Sequence, residues 1–534
     1  MKNKKKRKEF TLIELLAVII VLAIIALIAT PIIFNVIENA KIKSLENSCY
    51  GVIDAVRTKY AEGLLNLNKI TNGNVNELTI SGEKPIDGTW TIDNSKDSEQ
   101  REIKIDNVRF SSMKDYACSN DLETGKVSCK KTYKDNSSAN TPILFKNMVP
   151  IKYENNKWFI ADLGQKWYDY DAKEWANAVV LNSGVTKNVG DEVTEEDVAL
   201  WYVWLPRYKY TIFNGSAATQ QLINVTFESG VSRTGTVTCT DNAFGSETCT
   251  DNAFGSETWS TITNGTSTYT HPAFKFGNTE LTGFWVGKFE ISTTDSTCNS
   301  SASSANCNKV LTMTIKPNVS SWRYATISNQ FTSIQNAKTT YGINNADSHM
   351  MKNMEWGAVA YLKQSKYGLG TTDIAVNTNS SYYTGGGTSD AYKTNVAQST
   401  TGNIYGVYDM AGGAWERVMG NMKNSSNAFY SSNAGFTTAP DAKYYDSYKY
   451  GTSYYTSHAR GKLGDATKET LATFGKTWGG GWYSDNAYFP HSSYPWFSRG
   501  GSYVDGTYAG VFNFDVSYGG AYSDISARAV LSAQ

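Results

Sequence analysis

Phe10-Thr11-Leu12-Ile13-Glu14 is the stretch whose reading organises the whole chain. It stands between two opposite kinds of sequence. Before it lie Lys2, Lys4, Lys5, Lys6, Arg7 and Lys8, and after it residues 15–34 are apolar apart from Thr30 and Pro31. About twenty apolar residues suffice to cross a bilayer as a helix. The basic block holds its own end on the cytoplasmic side, so the bulk of the chain is expected outside. Glu14 does not fit a plain anchor, because a carboxylate at mid-helix costs about 2.5–3.5 kcal/mol in the bilayer. An uncleaved signal anchor has no need of it.

Working outward, apolar residues recur at helical spacing at Val36, Ile37, Ala40, Leu45, Val52, Ile53 and Val56, with Lys41, Lys43, Glu46, Asp54, Arg57 and Lys59 largely on the other side. This predicts one helix over residues 10–62, about 80 Å long. Strands are expected at 77–80, 89–92 and 102–105, separated by the turn-rich stretches 81–85 and 93–97. They would form a small β head over 63–135. The polar stretch 134–142 marks a boundary. Beyond it the chain is rich in Trp and Tyr from Trp158 on and is read as a second folded region, with 136–194 its linker and entry segment and 195–534 the binding domain. Residues 239–248 recur identically at 249–258, a unit too short and too few for a solenoid. It reads as a duplication in a tolerant loop. A buried strand is expected over 283–292 and an apolar helical stripe at Met351, Met354, Ala358, Tyr361 and Leu362. Residues 376–400 and 424–458 read as long loops. The fold class is α+β.

The formal charge of the chain is zero; removing residues 1–9 takes away six positive charges and one negative, leaving −5. A mildly acidic chain argues against bulk nucleic-acid binding, and no nucleic-acid partner is expected. The seven cysteines are Cys49, Cys118, Cys129, Cys239, Cys249, Cys298 and Cys307, none in a C-x-x-C pair. Outside the membrane they read as disulfides rather than metal ligands. Cys118 with Cys129 and Cys298 with Cys307 are candidate short loops. Cys49, Cys239 and Cys249 are left unassigned, and the odd count leaves at least one thiol free or intermolecular. The four histidines, His271, His349, His458 and His491, have no ligand spacing. Gly475-Lys476-Thr477 fails as a phosphate loop because position 470 is Thr. No cofactor, no metal site and no catalytic residue is expected.

The N-terminal stretch resembles the cleavage and methylation motif of type IV prepilins. The resemblance implies that prepilin peptidase cuts between Glu9 and Phe10 and that the new amino terminus is methylated. Glu14 would become the fifth mature residue and pair with the amino terminus of a neighbouring pilin subunit. Glu9 is a departure, since the family usually has Gly there. The membrane would be entered through residues 10–36 in the precursor, and the rest would lie at the cell surface or in a pilus.

Further along, Phe284 to Glu290, Trp356 to Tyr361, Gly406 to Glu416, Arg499 to Ser502 and Arg528 resemble the formylglycine-generating-enzyme-like branch of the C-type lectin fold. The resemblance covers about 195–534. Gly413, Arg417 and Ala527 depart from it, standing where Asn, Trp and Phe are usual. It implies a large lectin-like domain with irregular loops. The copper-holding cysteines that follow Arg-Gly-Gly-Ser in the enzymes have no counterpart, since no cysteine follows Ser502. Residues 484–527 also resemble the variable region of diversity-generating retroelement proteins. Asn codons mutated only at adenines cannot give Lys, Glu, Gln, Met or Trp, and none of these occurs from Ser502 to Ala527. Tyr, Ser, Asp and Gly on a rigid scaffold are the residues of adaptable binding surfaces. Tyr503, Val504, Asp505, Tyr508, Asp515, Val516, Ser517, Tyr518, Tyr522, Ser523 and Asp524 are therefore the candidate ligand-binding residues, with Val511, Phe512 and Phe514 expected in the core. The function expected is a pilin-like surface protein displaying a hypervariable domain for adhesion or recognition of an external protein or glycan. The alternatives are a surface-anchored formylglycine-generating-type oxidase, or a structural minor pilin in filament assembly or DNA uptake.

Overall fold

The structure, a computed structural model, describes residues 12–65, 71–92, 102–212, 219–235, 238–241, 247–250, 268–299, 304–343, 345–431, 433–454, 461–473 and 475–533. Glu9 and Phe10 lie outside these, and the side chains of helix α1 are described continuously only from Asn35. The expected membrane segment therefore falls for the most part on undescribed side chains, the Glu14 side chain among them. Among the described residues no helix is long and apolar enough to cross a membrane.

The chain divides into two compact units, residues 1–131 and 132–534. The first is built on α1, Leu12–Leu65, a single helix of 54 residues. In its second half Leu45, Cys49, Val52, Ile53 and Val56 are buried. Their spacing of four, three, one and three places them on one helical face. That face packs with Trp90, Ile105, Val108 and Phe110 of an antiparallel sheet. The sheet is a five-stranded meander in chain order: Asn72–Asn74, Pro85–Ile92, Ile103–Phe110, Tyr116–Asn120 and Val127–Lys131. The strands expected at 89–92 and 102–105 fall within it. The one expected at 77–80 does not form: a 3-10 turn covers Val75–Glu77 and sends Leu78 into the core instead. On the outer side of α1 run the exposed pairs Lys43–Glu46 and Asp54–Arg57, at 2.8 and 2.7 Å.

Cys118 and Cys129 stand directly opposite each other on adjacent strands and are joined as a disulfide. Cys49 is buried beside them with a free thiol. Burial pushes that thiol up to about 12, so it stays protonated and inert. Among the described residues these three are the only cluster with metal-ligand chemistry, and the disulfide occupies two of them.

In the second unit the expected linker and entry segment is built into the main sheet. Residues 136–194 supply the strands Met148–Glu154, Lys157–Ile160, Asn177–Leu181 and Glu192–Val193 to an eight-stranded antiparallel sheet. Its order runs Ala346–Met350, Ala529–Ala533, Gly283–Gly287, Val198–Pro206, Asn177–Leu181, Met148–Glu154, Lys157–Ile160, Glu192–Val193. The chain's last strand thus returns to pair with the 283–287 strand, with Trp285 opposite Leu531. All nine residues of Val198–Pro206 are buried, so both faces of the sheet centre are covered. Helices α2 (Ile327–Thr340) and α3 (Asn353–Lys363) belong to this unit, with a single helical turn at Ala391–Thr394. α3 is buried on every side rather than along one stripe. A second sheet pairs Trp415–Met422 with Asp446–Tyr448, Trp496–Gly500 and Ile525–Ala527, and Trp496–Gly500 pairs in turn with Gly510–Ser517. The Cys298–Cys307 disulfide closes a short loop. The repeated segment starts a hairpin in which Cys239 stands opposite Cys249.

One buried charge network gives this unit a definite pH response. His349 lies between Asp347 and Glu355, at 3.3 and 3.0 Å, stacked on Phe276. Burial alone would lower its pKa, but the two carboxylates outweigh burial and raise it. The stability it contributes is complete below its ordinary value near 6.5 and is lost as pH rises through the raised folded value. Asp347, held down to about 2, and Glu355, also lowered, contribute in the opposite sense and lose their effect only in acid. Denaturant midpoints followed from about pH 6 to about pH 9 should fall, and His349→Gln should flatten that slope.

Candidate ligand-binding surface

The motif segments of the second unit build its interior. Lys288 is fully buried, and its Nζ donates to Asn177 Oδ1, Ile404 O and Gly406 O at 3.0, 2.6 and 2.9 Å. The rings of Trp158, Trp201 and Tyr408 surround it at 5.4–5.7 Å. Burial holds this ammonium well below the usual lysine range. Glu416 receives Arg528 in a two-point ion pair, Nε to Oε2 at 2.9 Å and Nη2 to Oε1. Arg528 also donates to the carbonyls of Gly287 and Tyr408, stitching the two sheets together. Asp409 accepts from Asn377 and the Gly385 amide, and Glu290 from the Ala414 amide. Burial pushes Glu290 well above the carboxylate range, with Asp409 and Glu416 adding to it.

Two of the departures from the motif, Gly413 and Arg417, have visible reasons. Gly412 and Gly413 both take φ of +73°, and a Cβ at Gly412 would lie 2.5 Å from the Asn377 carbonyl. Left-handed backbone suits Gly, and Asn next best, so Gly413 keeps the turn. Arg417, fully buried, donates to Ala325 O at 2.6 Å, to Ser517 Oγ at 3.3 Å and to Gly520 O. Its guanidinium also sits 5.9 Å from the Tyr522 ring. It therefore clamps the turn 517–522. Burial lowers its pKa to about 9. Replacing it with Met should destabilise the unit by about 1–3 kcal/mol, because several acceptors lose a charged donor. Amide exchange in 517–524 should rise first.

The tail lies as follows. The Gly510–Ser517 strand buries Val511, Phe512 and Phe514 completely or nearly so. Trp356 Nε1 donates to Val511 O at 2.8 Å and the Phe512 amide to Asp485 at 2.9 Å, which fix the strand against the core. Val504 is 68% exposed, and Tyr508, Tyr518 and Tyr522 about 40%. Ser523 is exposed too, and Tyr503, Asp505, Asp515, Val516 and Asp524 are half-buried. Ser517 belongs to the interior, held by Arg417, and is withdrawn from the surface set. Asp505 turns its carboxylate back to the Ser502 amide and hydroxyl at 2.6 and 2.8 Å. Asp515 caps the Val516 amide, and burial pushes its carboxyl up to about 7, Asp505 adding to the rise. Tyr503 packs edge-on against Tyr382 at 4.9 Å.

Five aromatic residues outside the expected set join Tyr508 to Tyr518. Ring centroids run Tyr508–Trp478 5.3 Å, Trp478–Tyr488 5.5 Å, Tyr488–Tyr454 5.4 Å, Tyr454–His491 5.7 Å, His491–Tyr494 5.4 Å and Tyr494–Tyr518 5.6 Å. Trp478, the most exposed, is open over half its surface. These residues sit in turn-rich loops with no period to mark them. Their abundance of Tyr and Trp was the one available signal. Ser492, the chain neighbour of His491 in this ladder, lines an open depression of about 400 Å³ together with Asn424, Ser425, Phe429, Tyr430, Ser431 and Tyr450.

The comparisons with known proteins bear on the other end of the chain. Residues 5–30 match the family described as the prokaryotic N-terminal methylation motif. The chain therefore carries a type IV prepilin-like N-terminus. That implies processing at the membrane by prepilin peptidase, assembly with pilin subunits and a surface- or pilus-associated protein. The match ends before Leu45, the first buried residue among those described. No curated protein matches the chain.

Proposed function

We propose that this is a non-catalytic surface protein in which a prepilin-type stem displays a lectin-like domain for adhesion or recognition. Its tail would be the contact surface, diversified by a retroelement of the kind its composition resembles. The observation that carries this reading is the division of labour within 504–522. Val504, Tyr508, Tyr518 and Tyr522 are exposed, while Val511, Phe512 and Phe514 between them are buried. Rings that filled a core would not be divided in this way. Large rings with few rotatable bonds give contact area at low entropy cost. The Glu416–Arg528 pair and the buried Lys288 in the same unit supply rigidity.

The test is attachment of cells carrying the chain with Val504, Tyr508, Tyr518 and Tyr522 all changed to Ser. Attachment to a target cell or surface should drop severely at unchanged surface abundance. Unchanged attachment would leave a structural minor pilin as the better reading. Diversification has its own check. Beside the gene one expects a reverse transcriptase and a near copy of the codons for 484–534, with Asn codons at the exposed positions. A neighbourhood without that pair would remove the diversified part of the reading.

A further inference from the structure

We propose that Cys49, Cys118 and Cys129 form an internal thiol–disulfide exchange site, through which the cross-link of the first unit passes from within its sheet to between helix and sheet. The reactants are already together. Cys49 carries a free thiol, Cys118 and Cys129 are joined, and the three sulfurs lie within 4.8 Å of one another. They come from helix α1 and from two adjacent strands, so the packing of the helix on the sheet assembles the site. The step balances without an outside oxidant or reductant. Cys49 Sγ, as thiolate, attacks one sulfur of the disulfide. The old S–S bond breaks, a new one forms, and the displaced cysteine leaves as a thiolate that takes up the proton Cys49 released. Cys118 is fully buried, whereas Cys129 keeps 7% of its surface. Contact with water favours a departing thiolate and burial opposes it. The attack therefore falls on Cys118, Cys129 leaves, and the product is a Cys49–Cys118 bond.

The fold gates this step. In the closed core the Cys49 thiol has no exposed surface, and burial, with Glu46 adding to it, pushes it up to about 12. The present bond secures only the hairpin of Tyr116–Asn120 and Val127–Lys131. Helix and sheet are held to each other by their apolar faces and by hydrogen bonds such as that from the Val127 amide to Tyr50 Oη at 3.2 Å. Loosening that contact admits water to Cys49 and releases the nucleophile. The new bond then encloses the rest of the helix and the first three strands of the sheet. A helix and sheet that begin to part thus become fastened.

The test uses the full chain in detergent, with free thiols trapped by N-ethylmaleimide and disulfides mapped by mass spectrometry. Without denaturant the Cys118–Cys129 peptide should be the one found. Denaturant is then raised into the unfolding transition of the first unit at about pH 8.5, where an exposed thiol is about half ionised. A Cys49–Cys118 peptide should now replace the first, and the trapped thiol should change from Cys49 to Cys129. Cys49→Ser should keep the Cys118–Cys129 peptide under the same conditions. Cys129→Ser, treated with glutathione disulfide, should close Cys49–Cys118 and unfold its first unit at higher denaturant than the same variant reduced. Absence of any Cys49 disulfide in the opened parent chain overturns the proposal. So does pairing of Cys49 with Cys298 or Cys307 in equal yield, which is general scrambling. An oxidised Cys129→Ser whose midpoint equals that of the reduced form also overturns it.

Discussion

A Glu14→Val chain should reach the membrane, be cut before Phe10 and then fail to enter filaments. The substitution leaves the basic block and the Glu9–Phe10 junction in place. Assembly asks something different of position 14. By the prepilin resemblance its carboxylate meets the amino terminus of the neighbouring subunit within an apolar environment. There an unpaired amine is costly, because water cannot solvate it and the opposite charge is gone. Loss of one partner of such a pair is worth about 3–5 kcal/mol per contact, enough to exclude a subunit that must make the contact at every step. Shear-released material from cells should then contain the parent chain and lack the variant, while membranes hold equal amounts of both in cleaved form. Glu9→Gly is the informative companion. It restores the residue usual in the family, so the cleaved fraction should rise or stay at completion.

The second large effect lies far from the stem. Arg528→Met removes the partner of Glu416 and also the donor to the Gly287 and Tyr408 carbonyls. Breaking a buried pair from one side costs about 3–5 kcal/mol, a sizeable share of the stability of any folded unit. Glu416 is already pushed up to about 7 by burial, with Arg528 pulling the other way. Without the arginine its folded pKa must rise further. A carboxylate raised in the folded state costs nothing below its unfolded pKa, near 4.5, and costs progressively more as pH climbs above it. The variant should therefore be closest to the parent in mild acid and weakest above neutrality. Denaturant unfolding at several pH values would show it. The transition of residues 1–131, which have their own core, should not move.

How far the residues announced this architecture differs along the chain. The stem was readable because two periodic signals agree. Leu45, Cys49, Val52, Ile53 and Val56 share a helical face, and that same face is buried against the sheet. The tail was readable in part, since Val511, Phe512 and Phe514 are the apolar members of a strand whose neighbours are polar. Ser517 was misjudged because a small hydroxyl gives no hint of its depth. Its pairing opposite Trp496 and the clamp from Arg417, a hundred residues earlier, set it. Residues 136–194 looked like a linker for a related reason. Their strands are short and widely separated by turns, and what orders them is pairing with Val198–Pro206 and with one another. Long-range pairing leaves little trace in local composition. The ladder lies at the far end of this scale. Tyr454, Trp478, Tyr488 and Tyr494 come from three different loops, and only the fold brings their rings within contact of one another.

Hydroxyl-radical footprinting of the folded chain, read by mass spectrometry ring by ring, tests most directly whether an outward-facing aromatic surface exists and is covered by a ligand. Trp478, Tyr508, Tyr518 and Tyr522 should oxidise readily while Trp482, Trp496 and Phe512 stay protected, and contact with a surface to which the cells attach should suppress oxidation of the first group alone. Equal protection of both groups in the free chain, or no change on attachment, would contradict it.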